Sequence, residues 1–337
     1  MEAGSGFSGG VPVGVLKDRF GRQINYIRIS VTDRCNYRCL YCMPEEGLEW
    51  IPHERIMTYE EILFLARILK DLGVQKIRLT GGEPLVRKGF FSFLGSLRGF
   101  VPGIRTVLTT NGSLIPQYID EIARPGLSGV NVSLDTLDED LFRFMTRNGN
   151  LGDVIDGIRL LTERTDIPLK INTVLMKGIN DGEVEALLDL AGSHGAVLRL
   201  IEFMPLDDSV WSKDRFIPAS EILQRLPGPA MWERMDNSSD HSSGPARYFR
   251  NVSTGQRIGV IEAVSHHFCQ SCNRLRVSAT GVMRPCLFSE KGVDLRPALL
   301  SGDAAAVEAL VFQAVNSKPE SYCHADTGAT HMSRIGG

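Results

Sequence analysis

Three cysteines within eight residues constrain this chain more than any other feature. Cys35, Cys39 and Cys42 form a C-x3-C-x2-C pattern after an apolar run, and Tyr41 precedes the third cysteine. Thiolates this close in sequence can bind one small inorganic group. A structural zinc site usually has four protein ligands, whereas an iron–sulfur cluster held by three cysteines leaves one iron open for chemistry. The spacing therefore favours a cluster over a zinc site that recruits a distant fourth ligand.

The composition is that of an ordinary globular protein. The chain has 337 residues, of which 43% are hydrophobic and 23% charged, and this length suits one large domain or two. The formal net charge of −3 gives no support for nucleic-acid binding. No apolar run approaches the ~20 residues of a membrane-spanning helix, and the first ten residues do not resemble a signal peptide. We therefore expect a cytoplasmic protein without membrane or nucleic-acid partners.

Six short β-branched runs alternate with helical patterns at intervals of ~30 residues, which is typical of βαβ units in a parallel sheet. The predicted strands are residues 25–31, 76–80, 105–110, 129–134, 168–176 and 196–203. One predicted helix covers residues 59–72, with Thr58 and Glu61 as a capping box and Gly73 as its stop. Six such units fit either an incomplete α/β barrel or an open doubly wound sheet.

Polar or glycine-rich motifs follow five of the six strands. Besides the first cysteine set, these motifs are residues 81–84, 109–112, 133–136 and 202–205. Any one of them could be a plain turn. Because the carboxyl ends of parallel strands meet at one edge, five motifs there predict a ligand site.

Strand alternation places several cations on one face. If the apolar face packs against the helices, Arg28, Arg78 and Lys170 point into the barrel. Buried cations are costly unless they are paired. One interpretation is pairing with inward carboxylates, namely Glu83, Asp135 and Glu202. The other is a polyanionic ligand, since arginine suits phosphate oxygens and lysine supplies a point charge.

A second set of three cysteines lies near the C-terminus. Its members, spaced C-x2-C-x13-C around a predicted hairpin, are Cys269, Cys272 and Cys286. His266 and His267 precede them, so a Cys3His zinc site is the alternative to a second cluster with an open iron. Clustered thiols without an export signal favour metal ligation over disulfides. We assign no ligand role to the remaining Cys323.

The predicted organisation has four parts. They are a flexible lead-in over residues 1–23, a barrel over 24–206, an auxiliary region over 207–316 and a tail over 317–337. The auxiliary region is predicted to contain a short helix near 219–226, hairpins over 247–264 and 274–287, and one helix over 294–316. The tail lacks periodicity and ends in Gly336 and Gly337.

The first cysteine motif resembles the signature of the radical S-adenosylmethionine (SAM) superfamily. Nearly the whole chain resembles the GTP 3′,8-cyclases of molybdenum cofactor biosynthesis. The segments that carry this resemblance are CNYRCLYCMP, RLTGGEPLVR, LTTNG, NVSLDT, LKINTVLMKGIN, EFMPL, FCQSCNRLRVSATGVMRPCLF and the terminal IGG. The first alone indicates only the superfamily, whereas the second cysteine set with NRLR and the Gly-Gly end narrows it to the cyclases.

The resemblance implies an incomplete (β/α)6 barrel, closed at its open end by a C-terminal α+β extension with a second iron–sulfur cluster. It implies a [4Fe–4S] cluster that binds SAM at Cys35, Cys39 and Cys42. A second [4Fe–4S] cluster, whose open iron meets the guanine of GTP, is implied at Cys269, Cys272 and Cys286. The implied SAM contacts are Tyr41, Gly82, Ser133 and Met204. The implied GTP contacts are Arg28, Arg78, Thr109, Lys170, Arg274, Leu275 and Arg276. The catalytic residues implied besides the first cysteine set are Arg274, Arg276, Gly336 and Gly337.

The reaction implied by the resemblance is a radical cyclisation by a lyase. One electron cleaves SAM, and the 5′-deoxyadenosyl radical takes hydrogen from ribose C3′. The carbon radical adds to C8 of guanine, and reduction gives (8S)-3′,8-cyclo-7,8-dihydroguanosine 5′-triphosphate. The implied partners are a flavodoxin- or ferredoxin-like electron donor and, downstream, cyclic pyranopterin monophosphate synthase. A homodimer is an open alternative to a monomer.

Two other functions remain as alternatives at this point. One is a radical SAM enzyme with an auxiliary cluster that acts on another substrate, such as a peptide. Such enzymes usually carry more cysteines at their auxiliary sites, and the inward cations would then lack a purpose. The other is a non-catalytic iron–sulfur or zinc protein that carries electrons or scaffolds a complex. The strand-end motifs speak against that interpretation.

Overall fold

A curved sheet with helices on its outer side forms the frame of the protein. The computed structural model describes residues 15–206, 210–236, 244–289 and 291–321. The strands in these ranges are β1 (Tyr26–Ser30), β2 (Lys76–Thr80), β3 (Arg105–Thr110), β4 (Gly129–Ser133), β5 (Leu169–Leu175), β6 (Val197–Glu202), β7 (Trp232–Arg234), β8 (Arg247–Asn251), β9 (Arg257–Ile261), β10 (Arg274–Val277), β11 (Val282–Arg284) and β12 (Val293–Asp294). The α-helices are α1 (Tyr59–Asp71), α2 (Phe90–Phe100), α3 (Ile115–Ile122), α4 (Glu139–Thr146), α5 (Leu151–Arg164), α6 (Val184–Ser193), α7 (Ala219–Gln224), α8 (Arg296–Leu300) and α9 (Ala304–Asn316).

The central six strands confirm the predicted (β/α)6 arrangement. Strands β1 to β6 lie side by side in chain order, and every adjacent pair is parallel. At least one helix connects each strand to the next. A doubly wound sheet would reverse its strand order at a switch point. The sequential order therefore identifies a partial barrel, and the doubly wound alternative is wrong.

The C-terminal region extends this sheet at both edges. Strand β10 runs parallel to β1, and β9 runs parallel to β6. Each also forms the predicted antiparallel hairpin, β8 with β9 and β10 with β11. Among the described strands β9 and β10 do not pair with each other, so eight parallel strands form an open barrel.

The outer face of the sheet supplies the core. Ile27 and Ile29 of β1 and Ile77 and Leu79 of β2 are fully buried, as strand alternation predicts. They belong to one apolar cluster together with the inner side of α1. Burying each such side chain contributes ~1.5–3 kcal/mol. The outer face therefore holds the sheet together and leaves the inner face available for polar groups.

The start of α1 has the predicted capping box. The Thr58 hydroxyl accepts from the Glu61 amide at 3.2 Å, and the Glu61 carboxylate accepts from the Thr58 amide at 2.5 Å. Gly73 follows the helix with φ of 88°, which is the left-handed conformation of a glycine stop. The second oxygen of Glu61 lies 3.3 Å from Arg296 of α8. One side chain thus caps α1 and ties it to the C-terminal region.

The predicted single helix over 294–316 is wrong, because two helices occupy this stretch. The first, α8, ends before Gly302, whose φ is 67°. Asp303 then starts α9 by accepting a hydrogen bond from the Ala306 amide at 2.9 Å. A glycine stop followed directly by an N-cap outweighs the continuous apolar pattern.

Part of the predicted flexible lead-in is packed against the protein. Leu16 is buried, and Lys17 forms a β-bridge with Gln23. Asp18 and Arg22 form a buried ion pair. Residues 15–23 therefore differ from the prediction, whereas residues 1–14 lie outside the described ranges. None of the helices in the described ranges is both long and apolar enough to cross a membrane.

We predict that Glu61→Ala lowers the free energy of unfolding by about 2 kcal/mol, because it removes a cap and leaves the half-buried Arg296 without its carboxylate. The matched control is Glu60→Ala, an exposed position in the same helical turn. That control should change stability by no more than about 0.5 kcal/mol. Urea unfolding followed by circular dichroism measures both, and equal values would contradict the capping role.

Candidate active site

Both cysteine sets face one cavity inside the partial barrel. The cysteines that line it are Cys35, Cys39, Cys42, Cys269, Cys272 and Cys286. The other predicted site residues on its wall are Arg28, Tyr41, Arg78, Gly82, Thr109, Ser133, Met204, Arg274 and Arg276. The fold therefore brings most of the predicted site residues together on one cavity wall, although they come from six strands and their loops.

The two cysteine sets lie at opposite ends of β1. Cys35 follows the carboxyl end of this strand. The register pairs Tyr26 with Arg274, so Cys272 lies beside the amino end of β1. Strand β1 has five residues. At about 3.3 Å per residue, the two sets are ~15–20 Å apart along the strand direction.

A close backbone approach positions the first cysteine set. A Cβ atom on Gly82 would lie 2.2 Å from the Arg34 carbonyl oxygen, and one on Gly81 would lie 2.3 Å from that of Thr32. Only glycines permit the turn after β2 to pack this tightly against the segment before Cys35. The Gly-Gly pair in the sequence therefore has a structural reason at this point.

The first set sits in an environment that disfavours thiolates. Burial and the nearby Glu83 carboxylate raise the pKa of Cys35 to about 12. Burial and the neighbouring Cys42 raise the pKa of Cys39 well above its usual value. Metal ligation requires deprotonated thiols. Three thiols beside a carboxylate therefore suit a positively charged metal group, which would supply the missing counter-charge.

The inward carboxylates do not pair with the predicted cations. Glu83 accepts from the Asn111 amide at 2.7 Å and from the Thr110 hydroxyl at 2.9 Å. Asp135 accepts from the Tyr41 hydroxyl at 2.7 Å and from the Val174 amide at 2.8 Å. The Glu202 carboxylate accepts hydrogen bonds from the backbone amides of Ala219, Val264 and Ser265. Pairing of these carboxylates with Arg28, Arg78 and Lys170 is therefore wrong, because backbone amides and hydroxyls satisfy them.

Three arginines form a row across neighbouring strands. The register aligns Arg276 of β10, Arg28 of β1 and Arg78 of β2. Adjacent strands are about 4.8 Å apart, and partners in register share a face. Burial, and then the charge of Arg276, lower the pKa of Arg28 well below its usual value. The row is thus a concentrated positive site on the cavity wall.

A tyrosine lies within this positive region. Tyr26 lies two residues before Arg28, on the same face of β1. Its hydroxyl accepts a hydrogen bond from Arg78 Nε. Another Arg78 nitrogen donates to the Thr109 hydroxyl at 2.6 Å. Burial raises the pKa of Tyr26, but Arg78, Arg28 and Lys76 outweigh it and lower the pKa to about 7. The phenol oxygen thus provides a partial negative charge among the cations.

The sequence interpretation missed Tyr26, Lys76 and Arg199. Arg199 of β6 is buried and donates to Asn172 Oδ1 at 2.9 Å and to Asn131 Oδ1 at 2.7 Å. The same alternation that indicated Lys170 places Arg199 on the inner face. Applied to every strand, that rule would have found all three residues.

Two of the predicted GTP contacts, Lys170 and Leu275, do not lie on the cavity wall. Lys170 lies on the inner face, but its ammonium donates to the Tyr248 hydroxyl at 3.0 Å and it is absent from the cavity wall. Leu275 is 0% exposed and belongs to the apolar core. It alternates with Arg274 and Arg276, so its side chain faces the helices. The predicted contact of Leu275 with GTP therefore stays a prediction.

The second cysteine set has the opposite electrostatic environment. Burial raises the pKa of Cys272, but Arg274 and Lys318 outweigh it and lower the pKa to about 6. The Lys318 ammonium lies 3.4 Å from the Cys272 sulfur. This thiol is therefore prepared to be a metal-binding thiolate before any metal arrives.

The histidines next to this set have other contacts. His266 Nδ1 lies 3.4 Å from the Glu262 carboxylate, and His267 Nδ1 lies 3.0 Å from the Ala263 carbonyl oxygen. In the described ranges no three Cys, His, Asp or Glu side chains converge on the position of a single metal ion. Thiolates on a multi-iron cluster bind different metal atoms, so they do not need to converge in this way. Cys323, Gly336 and Gly337 lie outside the described ranges.

Two family models together match most of the chain. Residues 29–191 match the Radical SAM superfamily, and residues 196–324 match the family Molybdenum Cofactor Synthesis C. A GTP 3′,8-cyclase of Geobacter sulfurreducens is 43% identical over 327 residues, which is 96% of this chain and 99% of the relative. One of Thermodesulfovibrio yellowstonii is 42% identical over 325 residues, with 96% and 100% covered.

A solved structure shares the fold. Streptococcus suis SuiB bound to S-adenosylmethionine superposes with a TM-score of 0.61 at 15% identity. The match covers 85% of this chain and 66% of the SuiB chain. At this low identity the likeness shows the fold alone, whereas the relatives at about 40% identity over nearly their full length show the family. The chain belongs to the GTP 3′,8-cyclase family of the radical SAM superfamily.

Proposed function

We propose that the protein converts GTP into 3′,8-cyclo-7,8-dihydroguanosine 5′-triphosphate, the first step of molybdenum cofactor biosynthesis, with SAM as co-substrate. The observation that carries this proposal is the single cavity lined by two cysteine sets and a row of arginines. Family membership supports it, because the relatives at about 40% identity are named GTP 3′,8-cyclases. A triphosphate is complementary in charge to the cations of the site, whereas a peptide substrate offers them no evident partner.

The first cysteine set would hold the [4Fe–4S] cluster that binds SAM. When bound, this cluster supplies the single electron that splits SAM into methionine and the 5′-deoxyadenosyl radical. The residues proposed to contact SAM, all on the cavity wall, are Tyr41, Gly82, Ser133 and Met204. Of these, Tyr41 is held by its hydrogen bond to Asp135, which fixes the ring beside the cysteines.

The second set would hold another [4Fe–4S] cluster near the guanine of GTP. This assignment is supported by the thiol triad itself and by the cations that favour Cys272 as a thiolate. The row of Arg276, Arg28 and Arg78 lies on the wall between the two sets and would bind the triphosphate. Charge-assisted hydrogen bonds from these forks fix the nucleotide at several oxygens. The nucleotide would thus be held between the two sets, with its guanine at the second.

The proposed reaction balances, because GTP gives up one hydrogen atom and takes up one electron and one proton. The hydrogen atom of ribose C3′ passes to the deoxyadenosyl fragment, and C3′ forms a bond to guanine C8. A second electron and a proton complete the product, which is therefore an isomer of GTP. We propose that a flavodoxin- or ferredoxin-like donor supplies the electrons and that cyclic pyranopterin monophosphate synthase takes the product.

Anaerobic incubation with SAM, GTP and a strong reductant tests the proposal. Mass analysis should find a new species with the mass of GTP and 5′-deoxyadenosine in equal amount. Reconstituted protein should contain about eight irons per chain, as two four-iron clusters require. Zinc without sulfide, or deoxyadenosine formation without any cyclised product from GTP, would overturn the function.

We predict that replacing one cysteine of each set separates two steps. Cys35→Ala should abolish reductive cleavage of SAM, because the cluster that binds SAM loses a ligand. Cys286→Ala should retain cleavage but stop cyclisation, because only the second set is affected. Deoxyadenosine and cyclised product are quantified for each variant, with iron counted.

Cys323→Ala is the matched control for these variants. It should keep both activities, since we assign it no ligand role. Normal cyclisation by the Cys286 variant would contradict the assignment of the second cluster.

We predict that Arg78→Ala weakens GTP binding roughly ten- to a hundredfold, because it removes a charge-assisted contact of ~1.5–3 kcal/mol. Lys170→Ala should weaken it less, since the Lys170 ammonium donates to the Tyr248 hydroxyl and does not line the cavity. SAM binding should change little. The exposed Lys177→Ala is the control, and calorimetric titration with each ligand measures the dissociation constants. Equal losses for both ligands would instead indicate structural roles.

We predict that the terminal glycines are a catalytic element. Deletion of Gly336 and Gly337 should leave folding, iron content and SAM binding intact but collapse GTP-dependent deoxyadenosine and product formation. The physical reason is that residues without side chains can approach a bound nucleotide closely. A peptide with the last ~10 residues should restore part of the activity, limited by its cost of binding. Normal activity of the truncated enzyme would contradict this role.

A further inference from the structure

A buried lysine contacts the second cysteine set. Lys318 follows α9, and its exposed fraction is 2%. Its ammonium donates to the Cys272 sulfur at 3.4 Å, to the Arg274 carbonyl at 3.0 Å and to the Pro285 carbonyl at 2.8 Å. A lysine ammonium has three donors. All three are therefore used, and the group has one fixed position.

These three contacts join the two segments that carry the cysteines. Cys272 and Arg274 belong to the segment that enters β10. Pro285 follows β11 and directly precedes Cys286. The β10–β11 pairing joins these segments at Arg276 and Arg284, and thirteen residues separate Cys272 from Cys286. At the cysteine end of the hairpin the segments need a further bridge. The ammonium is such a bridge.

The charge of Lys318 also needs a partner. A buried ammonium is costly unless a negative group compensates it. Two of its three acceptors are neutral carbonyls, so the sulfur is the acceptor that can carry the negative charge. A thiolate bound to an iron–sulfur cluster provides that charge permanently. Hydrogen bonds to such sulfurs, together with net charge, set the reduction potential of a cluster.

The backbone after Lys318 is held beside Cys269, the remaining cysteine of the second set. Arg22, which is paired with Asp18, donates to the Cys269 carbonyl at 2.7 Å. The same guanidinium donates to the Pro319 carbonyl at 2.6 Å and to the Glu320 carbonyl at 3.1 Å. The chain at residues 318–320 is therefore fixed to all three parts of the second set.

We propose that Lys318 is a positioning residue of the second cluster. It holds Cys272 and the segment of Cys286 in ligating geometry, and its charge makes the cluster easier to reduce. In the first cysteine set, which lies beside Glu83, the Cys35 sulfur instead accepts from two neutral donors, the Tyr37 amide and the Asn111 side chain. The inference rests on the proposed second cluster at Cys269, Cys272 and Cys286.

The test measures the reduction potential of the second cluster alone. Full-length protein with Cys35→Ala, Cys39→Ala and Cys42→Ala carries only that cluster, and Lys318→Met is added to it. A redox titration followed by electron paramagnetic resonance gives the potential. We expect at least a tenfold less favourable reduction, which is about 59 mV for one electron. Iron release to a chelator should be roughly tenfold faster.

Two variants serve as controls. Lys318→Arg keeps the charge and should lie closer to the parent in potential than Lys318→Met. Lys70→Met removes an exposed lysine that donates to the Pro102 carbonyl, and it should change neither readout. If Lys318→Met folds by circular dichroism but retains no second-cluster iron, the positioning role is supported directly.

Two results would overturn different claims. Unchanged potential and iron retention in Lys318→Met would overturn this inference and leave the proposed function intact. A parent protein that binds no iron at the second set would overturn the second cluster itself, and the inference with it. Activity alone decides neither, because any disturbance of the site can lower it.

Discussion

Repulsion among buried like charges is the constraint that the rest of this structure accommodates. Arg276, Arg28 and Arg78 stand side by side on three strands. Two unit charges at the strand spacing of about 5 Å repel by roughly 3 kcal/mol at an effective dielectric constant of about 20. The outer face of β1 and β2 buries four large aliphatic side chains, which contribute roughly 6–12 kcal/mol. The outer face therefore stabilises the sheet, while the inner face holds three neighbouring cations.

The two cysteine sets differ in charge because different parts of the chain surround them. The pKa of Cys35 is raised to about 12 by burial and Glu83, whereas cations lower that of Cys272 to about 6. The carboxylate near Cys35 comes from the turn after β2 and is fixed by the amides of Leu85 in the same turn and of Asn111 after β3. The cations near Cys272 come from β10 and from the residue after α9, Lys318. The same type of side chain thus stands in two surroundings of opposite charge.

The C-terminal region completes the site by joining the sheet rather than by covering it. Strand β10 pairs in parallel with β1, and this register brings Arg276 beside Arg28. At the other edge β9 pairs with β6, where Gly259 leaves room for Arg199: a Cβ there would lie 2.9 Å from the Arg199 side chain. The ion pair of Glu61 with Arg296 holds the same region to α1. The positive row therefore exists only when both parts of the chain are folded together.

The sequence by itself determined the six βα units, the cap of α1 by Thr58 and the inward direction of Arg28 and Arg78. These follow from local periodicity, side-chain alternation and capping chemistry, which act over a few residues. Only the tertiary structure decided that β10 lies beside β1 and that amides, not cations, satisfy the inward carboxylates. It also decided that Lys318 reaches Cys272 across 46 residues of sequence. Such contacts depend on strand pairing and packing between distant segments, for which the local pattern holds no signal.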